Sequence, residues 1–293
     1  MITTLGSDVS KGSLYSLDAN SLPDFVEPTS PVEFECLFSI NGTVWTADCN
    51  PSGTHAALGT SMGSALLDLE ARSQFWIYCG KSDVLSQQFI SSGNVVLCGL
   101  RNGLILTIDT REKHISNNIA ALNHSSAAPN PRMTNLPLGR RERRRNFVRS
   151  QIDRGQISSG HVRMTSAVCS MASLSCDENY FLASSMDGSI KLFDIRALRN
   201  GGVQSYEGHI NSHSRLQLAV NPSETLLLTG GEDCSVRIWG IKTGELLFSE
   251  TFSESCCTTV LWPDLEGYAR HRLDQSHGAW LGSRDGLFYM QDI

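Results

Sequence analysis

Twice in this chain a carboxylate stands two residues ahead of a guanidinium, at the end of an apolar-polar alternating segment. The two stretches are Ile108-Asp109-Thr110-Arg111 and Phe193-Asp194-Ile195-Arg196. The chemistry these residue types offer is recognition. A guanidinium presents five N–H donors in a planar fork suited to carboxylates and backbone carbonyls, and a neighbouring aspartate can orient it. Taken singly, either motif also reads as a surface arginine paired with its own aspartate. Two of them in consecutive repeats carry more information than one.

Other residues that could do chemistry are less persuasive. "GTSMG" (59–63) spells G-x-S-x-G, but a nucleophilic Ser61 needs a strand-to-helix turn, and the surrounding pattern is a hairpin. His209 and His213 have the i, i+4 spacing of a helical metal pair, yet they sit at a loop entry without a cysteine or acidic residue at ligand spacing. His209 is therefore read as a structural hydrogen-bonding residue. The nine cysteines are odd in number and include no C-x-x-C, which points to reduced thiols used as small apolar residues in an intracellular protein. No glycine-rich loop runs from a strand into a helix. No catalytic residue, metal or cofactor is expected, and the chain reads as not an enzyme.

Charge is uneven. The net charge is −6, but residues 140–154 alone carry a local +5. Arg140, Arg141, Arg143, Arg144 and Arg145 could be a solvated loop, a nuclear-import signal or an RNA-contacting patch. Phe147 is the one aromatic residue there, which counts against stacking on single strands. Nucleic acid is thus an unlikely partner, and no apolar run approaches the ~20 residues that span a bilayer, so no membrane association is expected.

The elements that must position the paired motifs repeat along the chain. "LGTSMGSALLDLEAR" (58–72), "LCGLRNGLILTIDTR" (97–111), "SSMDGSIKLFDIR" (184–196), "GGEDCSVRIWGIKTG" (230–244) and "LGSRDGLFYMQDI" (281–293) each hold a tight turn followed by period-two alternation. That pattern predicts a β-hairpin whose turn requires positive φ. About twenty residues upstream of each lies a further alternating segment: "TVWTADCNPSG", "DVLSQQFISSG", "AVCSMASLSCDENY", "RLQLAVNPSE" and "TTVLWPD". The turns fall at Gly63, Gly103, Gly188, Cys234 and Gly286, so the separations are 40, 85, 46 and 52 residues. A period in the forties made of short strands predicts the blades of a β-propeller.

The 85-residue separation contains residues 114–158, rich in Asn, Ser, Pro and Arg and without strand alternation. It is read as a basic, mobile insertion between the second and third blades. Residues 3–20 read as a hairpin from the middle of a blade and 31–40 as its outer strand. The expected organisation is a partial blade over 1–42, blades over 43–113, the insertion over 114–158, and blades over 159–293. This gives an all-β propeller with five recognisable blades and part of a sixth, expected to be N-terminally truncated from a seven-bladed ring.

The residues also carry a family resemblance. Gly160-His161 and Gly208-His209 resemble the Gly-His that opens a WD repeat, and Phe193-Asp194 and Trp239-Gly240 its closing dipeptide. His209, Thr229, Asp233 and Trp239 stand where WD repeats place a buried hydrogen-bonded tetrad; His161 and Asp187 match in the preceding repeat, with Ala183 in place of the hydroxyl residue. The two D-x-R stretches resemble the tandem W-D-x-R motif of the WD-repeat substrate receptors of cullin-4 RING ubiquitin ligases. "EFECLF", "DVLSQQF", "YEGHINSHSRL" and "GGEDCSVRIW" look most like the family of the fourth DDB/cullin-4-associated factor. The resemblance implies a non-catalytic receptor in which Asp109, Arg111, Asp194 and Arg196 dock a DDB-type propeller adaptor, and through it the cullin-4 ligase, while an unknown protein substrate is held elsewhere. The setting it implies is nucleus and cytoplasm. The alternative is a general WD-repeat scaffold in a nuclear or RNA-associated complex.

Overall fold

A computed structural model describes residues 2–6, 10–17, 34–90, 92–111, 160–263 and 278–291. They form six antiparallel sheets in chain order. The first has three strands, β1 (Ile2–Thr4), β2 (Gly12–Ser16) and β3 (Glu35–Ile40). Three four-stranded sheets follow: β4 (Val44–Cys49) to β7 (Ser73–Cys79) through β5 (His55–Thr60) and β6 (Gly63–Asp68); β8 (Val84–Phe89), β9 (Val95–Leu100), β10 (Leu104–Asp109) and β11 (His161–Arg163); then β12 (Val168–Ser173), β13 (Tyr180–Ser185), β14 (Ile190–Asp194) and β15 (Gln204–Tyr206). The fifth holds β16 (Leu218–Val220), β17 (Leu226–Gly230), β18 (Ser235–Gly240) and β19 (Leu246–Thr251). The sixth holds β20 (Cys257–Leu261), β21 (Gly278–Ser283) and β22 (Gly286–Gln291).

Alternation decides which neighbour each side chain meets, because successive strand residues point to opposite faces. In β9, Val96 and Cys98 pack toward the second sheet, with Ala57 and Leu66, while Leu97 between them packs toward the fourth, with Phe181 and Phe193. Further apolar clusters join the first and second sheets, the fourth and fifth, and the fifth and sixth. Sheets buried on both faces stack like this only if they are arranged radially. The innermost strands confirm it: β4 lies beside β8, β8 beside β12, β12 beside β16 and β16 beside β20. The fold is a WD-type β-propeller.

Polar bonds near the axis tie the second to the sixth sheets one to the next. Phe89 N donates to Asp48 Oδ2 (2.6 Å), Ser173 N to Gln88 Oε1 (2.8 Å), Leu218 N to Ser170 Oγ (3.0 Å) and Gln217 N to Thr258 O (3.1 Å). The inner strands surround a channel of about 430 Å³ lined by Thr46, Asp48, Gln87, Ser170, Arg215 and Thr258 among others.

The five hairpin turns have the predicted positive φ: 143° at Gly63, 83° at Gly103, 85° at Gly188, 61° at Cys234 and 147° at Gly286. Two sequence expectations need correction. Residues 112–159 connect β10 to β11, and β11 pairs with β10 as the outer strand of the third sheet. The insertion therefore falls inside one blade, ahead of its last strand, and not between two blades. Its predicted mobility and the run Arg140, Arg141, Arg143, Arg144 and Arg145 lie outside the described residues. For the same reason Gly160-His161 does not open a repeat, since His161 is an exposed residue of β11.

The second correction concerns the tetrad. His209, Thr229, Asp233 and Trp239 do gather in the fifth sheet, and the His209 and Trp239 rings meet edge to face at 6.4 Å. Their hydrogen bonds nevertheless go elsewhere. His209 Nε2 lies 3.0 Å from Gly230 O and Nδ1 3.3 Å from Gly188 O, Thr229 Oγ1 donates to Gln217 O (2.9 Å), and Trp239 Nε1 donates to Glu207 O (2.9 Å). Asp233 is taken by the Arg237 guanidinium, whose bonds hold its pKa below the ordinary carboxylate value. A cation four residues along the chain outcompetes a neutral imidazole for the carboxylate. In the fourth sheet Asp187 accepts from the hydroxyls of Ser185 and Thr165 and from Ser189 N (3.1 Å), so Thr165 occupies the position expected of His161.

Two measurements follow. A methyl at Gly188 would sit 2.9 Å from His209 O at a φ of 85°, so Gly188→Ala is expected to lower the unfolding free energy by about 1–2 kcal/mol, seen as a lower urea midpoint. Burial alone would raise the pKa of Asp187, but the bonds from Ser185, Thr165 and Ser189 outweigh it and bring it from 3.8 down to about 2. A depressed folded-state pKa contributes stability that is present above the unfolded value and lost as pH falls through the folded one. Asp187→Ala should therefore destabilise at neutral pH, and its urea midpoint should converge on that of the wild type as pH drops from 3.8 through about 2.

Candidate docking rim

The two arginines of the opening motifs reach the same rim through the antiparallel register. Asp109, the last residue of β10, pairs with Val95 at the start of β9, the end of the sheet where β8 finishes. Asp194, the last residue of β14, pairs with Tyr180 at the start of β13, where β12 finishes. Both motifs thus leave adjacent sheets at the end where the inner strands terminate.

Their local geometry is the same. Asp109 Oδ1 accepts from Arg111 N (2.9 Å) and Arg111 Nε (2.9 Å), and Oδ2 accepts from Nη2 (2.5 Å). Asp194 Oδ1 accepts from Arg196 N (2.9 Å) and Nε (3.1 Å), and Oδ2 from Nη2 (3.0 Å). The short i to i+2 bond to the backbone is an Asx turn that ends the strand; after Asp194 it opens a 3-10 turn over Ile195–Asn200. The fork then clamps one edge of each guanidinium. Each carboxylate is the more enclosed partner, at 26% and 14% exposure, against 67% for the Arg111 side chain and 62% for Arg196. The Asp109 bond raises the pKa of Arg111, and the Asp194 bond raises that of Arg196 while lowering that of Asp194. Each guanidinium is a clamped cation on a side chain that stays mostly exposed.

Sequence reasoning missed a third member of this rim. Asp68 ends β6 in the same way, its Oδ1 accepting from Glu70 N (3.0 Å) and Ala71 N (2.8 Å). Arg72, at φ 50°, then turns toward Glu35 of the first sheet (2.5 Å). The strand-ending aspartate was the available signal; the arginine is displaced by two residues of turn. Ser61, by contrast, lies between β5 and β6, and its Oγ accepts from Thr43 N (3.2 Å). That is a hairpin, and its serine holds a turn together.

Comparison with known proteins agrees with this architecture. Residues 145–259 match the model of the DDB1- and CUL4-associated factor 4 beta-propeller domain. The chain is 44% identical over 82 residues to DDB1- and CUL4-associated factor 4 of Homo sapiens, covering 28% of this chain and 16% of that protein. It is 28% identical over 168 residues to the Bos taurus protein of the same name, covering 57% of this chain and 25% of that one. These alignments take in a quarter or less of the relatives' length. A chain from the crystal structure of a mitotic checkpoint complex superposes with a TM-score of 0.60 at 17% identity, covering 98% of this chain and 74% of that one, which bears on fold alone. The chain is a WD-repeat β-propeller that resembles DDB1- and CUL4-associated factor 4.

Proposed function

We propose that this chain is a non-catalytic substrate receptor that bridges a target protein to a cullin-4 RING ubiquitin ligase. In this reading Arg111 and Arg196 dock a DDB1-type propeller adaptor. The observation that carries it is the pair of identically chelated arginines on one rim of adjacent sheets. Pre-ordering matters because a guanidinium already fixed by its aspartate loses little rotamer freedom on binding. The similarity to proteins named for association with DDB1 and CUL4 supplies the partner. Nuclear and cytoplasmic residence, with the basic run at 140–145 as an import signal, is part of the same proposal.

A general WD-repeat scaffold is the second reading. Its support is the basic run over residues 140–154, a local +5, which suits a nuclear or RNA-associated complex.

Co-precipitation of the adaptor separates the two. The wild-type chain should recover it, and Arg111→Glu/Arg196→Glu should lower the affinity by about two orders of magnitude, as for paired interface hot spots. Arg284→Glu, at the opposite end of the strands, should bind as the wild type does. Circular dichroism shows whether each variant keeps its β structure. Undiminished recovery by a folded double variant would sink the docking role and leave the scaffold reading.

A further inference from the structure

The other end of the inner strands holds an arginine that the docking reading does not use. Arg215 lies just before β16, and the loop ahead of it is clamped. Glu232 accepts from Ser212 N (2.9 Å), Ser212 Oγ (2.6 Å), His213 N (3.2 Å) and Ser214 N (3.0 Å). Those bonds hold the Glu232 carboxyl down at about 2, so the clamp stays charged. From this fixed base Arg215 crosses the channel from the fifth sheet to the second and third. Its Nη1 and Nη2 donate to Trp45 O (3.3 Å each), and Nη2 donates to Leu85 O (2.7 Å).

Backbone carbonyls orient a guanidinium but do not neutralise it. Among the described residues no carboxylate lies within ion-pair distance of Arg215, whereas Arg101 nearby is paired with Asp83 (2.9 Å). Arg215 is exposed as a whole, and burial of the part of its side chain that reaches the channel pushes its pKa down, as for a cation without a counter-charge. Three of its five N–H bonds are engaged, which leaves Nε–H and one N–H of Nη1. Both arginines flank the half-buried Trp45 ring, at 5.2 Å for Arg101 and 5.9 Å for Arg215. Trp45 Nε1 is one of three buried side-chain polar atoms without a partner among the described residues; a second, Gln87 Oε1, belongs to a mid-strand amide that donates to Ser64 Oγ (2.6 Å). Orphans of this kind are uncommon and call for an explanation such as a ligand.

We propose that this end of the axial channel binds a carboxylate-bearing peptide segment of a partner protein, with Arg215 receiving the carboxylate beside the Trp45 ring. A cavity of about 430 Å³ admits a few side chains. A polyanion would meet carboxylates here: Asp187, Glu232 and Asp285 sit at this end of their strands without an arginine or lysine partner among the described residues, beside Asp83 and Asp233, which are paired with Arg101 and Arg237, and nucleic acid needs an array of cations. Arg215 is the arginine that lines the channel, whereas Arg163 and Arg284, which also lack an ion pair among the described residues, sit on an outer strand and in an outer turn, so the channel mouth itself offers one guanidinium to one carboxylate. The site stands on its own geometry. If the receptor reading above also holds, the captured segment belongs to the ubiquitination target, because the docking rim lies a strand length away, roughly 20 Å, and both ends can be filled together.

A display library of random heptapeptides panned against the purified full chain tests this. The wild type should enrich peptides with Asp or Glu at a fixed position. Synthetic copies should bind in fluorescence polarisation and weaken by about tenfold or more when that acid becomes Asn or Gln. Arg215→Gln should cause a loss of the same size, and the two changes together should cost no more than one. Arg215→Lys keeps the charge without the fork and should retain part of the affinity, which guards against loss through misfolding. Arg111→Glu/Arg196→Glu should bind these peptides like the wild type, so failure of adaptor docking and failure of this site are read separately. No enrichment, enrichment without an acidic position, or binding indifferent to Arg215→Gln overturns the proposal. So does a homopolymeric single-stranded oligonucleotide that displaces the acidic peptides through Arg215.

Discussion

Burial on both faces is the constraint on which the rest of this molecule depends. A strand such as β9 sends Leu97 one way and Val96 and Cys98 the other, and all three are fully enclosed. Each such side chain removed from water contributes about 1.5–3 kcal/mol, but only if a second sheet is present on that face. No sheet in the series can satisfy this alone. The radial arrangement satisfies it for every sheet that has a neighbour on each side, and it forces the innermost strands to converge on an axis. The sixth sheet shows the same rule from its other side: Ala279 and Leu281 are enclosed against the fifth sheet, while Leu261, Trp280 and Leu287 on the opposite face are 54%, 39% and 69% exposed.

Convergence creates a second problem. Inner strands close to an axis have backbone and side-chain groups that can be neither fully solvated nor packed in hydrocarbon. The chain meets this with polar residues that reach to the next sheet, Asp48 to Phe89 N and Gln88 to Ser173 N. Each is a bond between blades. Burial raises the Asp48 pKa despite the backbone bonds it accepts. Arg215 is the exception in this series. It spans three sheets and bonds only to neutral carbonyls, so it contributes order to the channel and leaves a charge unanswered.

The sequence was a good guide wherever the deciding chemistry is local. Hairpin turns were legible because Asp-Gly and Asn-Gly announce positive φ, and even Cys234 was placed correctly from its neighbours' pattern. Strand-ending aspartates were legible because an Asx turn involves residues only two apart. What failed was pairing over distance. Nothing in "GHVR" states that β11 returns across residues 112–159 to pair with β10, so a motif that resembled a repeat opening was assigned to the wrong blade. The tetrad was misread for a related reason. Its four residues have the expected types and positions, but Arg237, four residues along the chain, competes for Asp233. Arg215 carries no motif at all; its importance arises from two carbonyls 130 and 170 residues away in sequence.

The same local device therefore serves different ends according to what lies beyond the strand. At Asp68 the Asx turn is followed by two further turn residues, and Arg72 closes onto Glu35 in the neighbouring sheet. That arginine is spent within the protein. At Asp109 and Asp194 the arginine comes one residue after the aspartate's neighbour and folds back onto the same carboxylate that ends the strand. An exposed ion pair of this kind adds little stability, because water and salt screen it. Its effect is geometric, holding two cations at fixed positions on one rim. Two arginines ordered at small energetic return, in adjacent blades and by identical bonds, are better explained by what they present to solvent than by what they hold together.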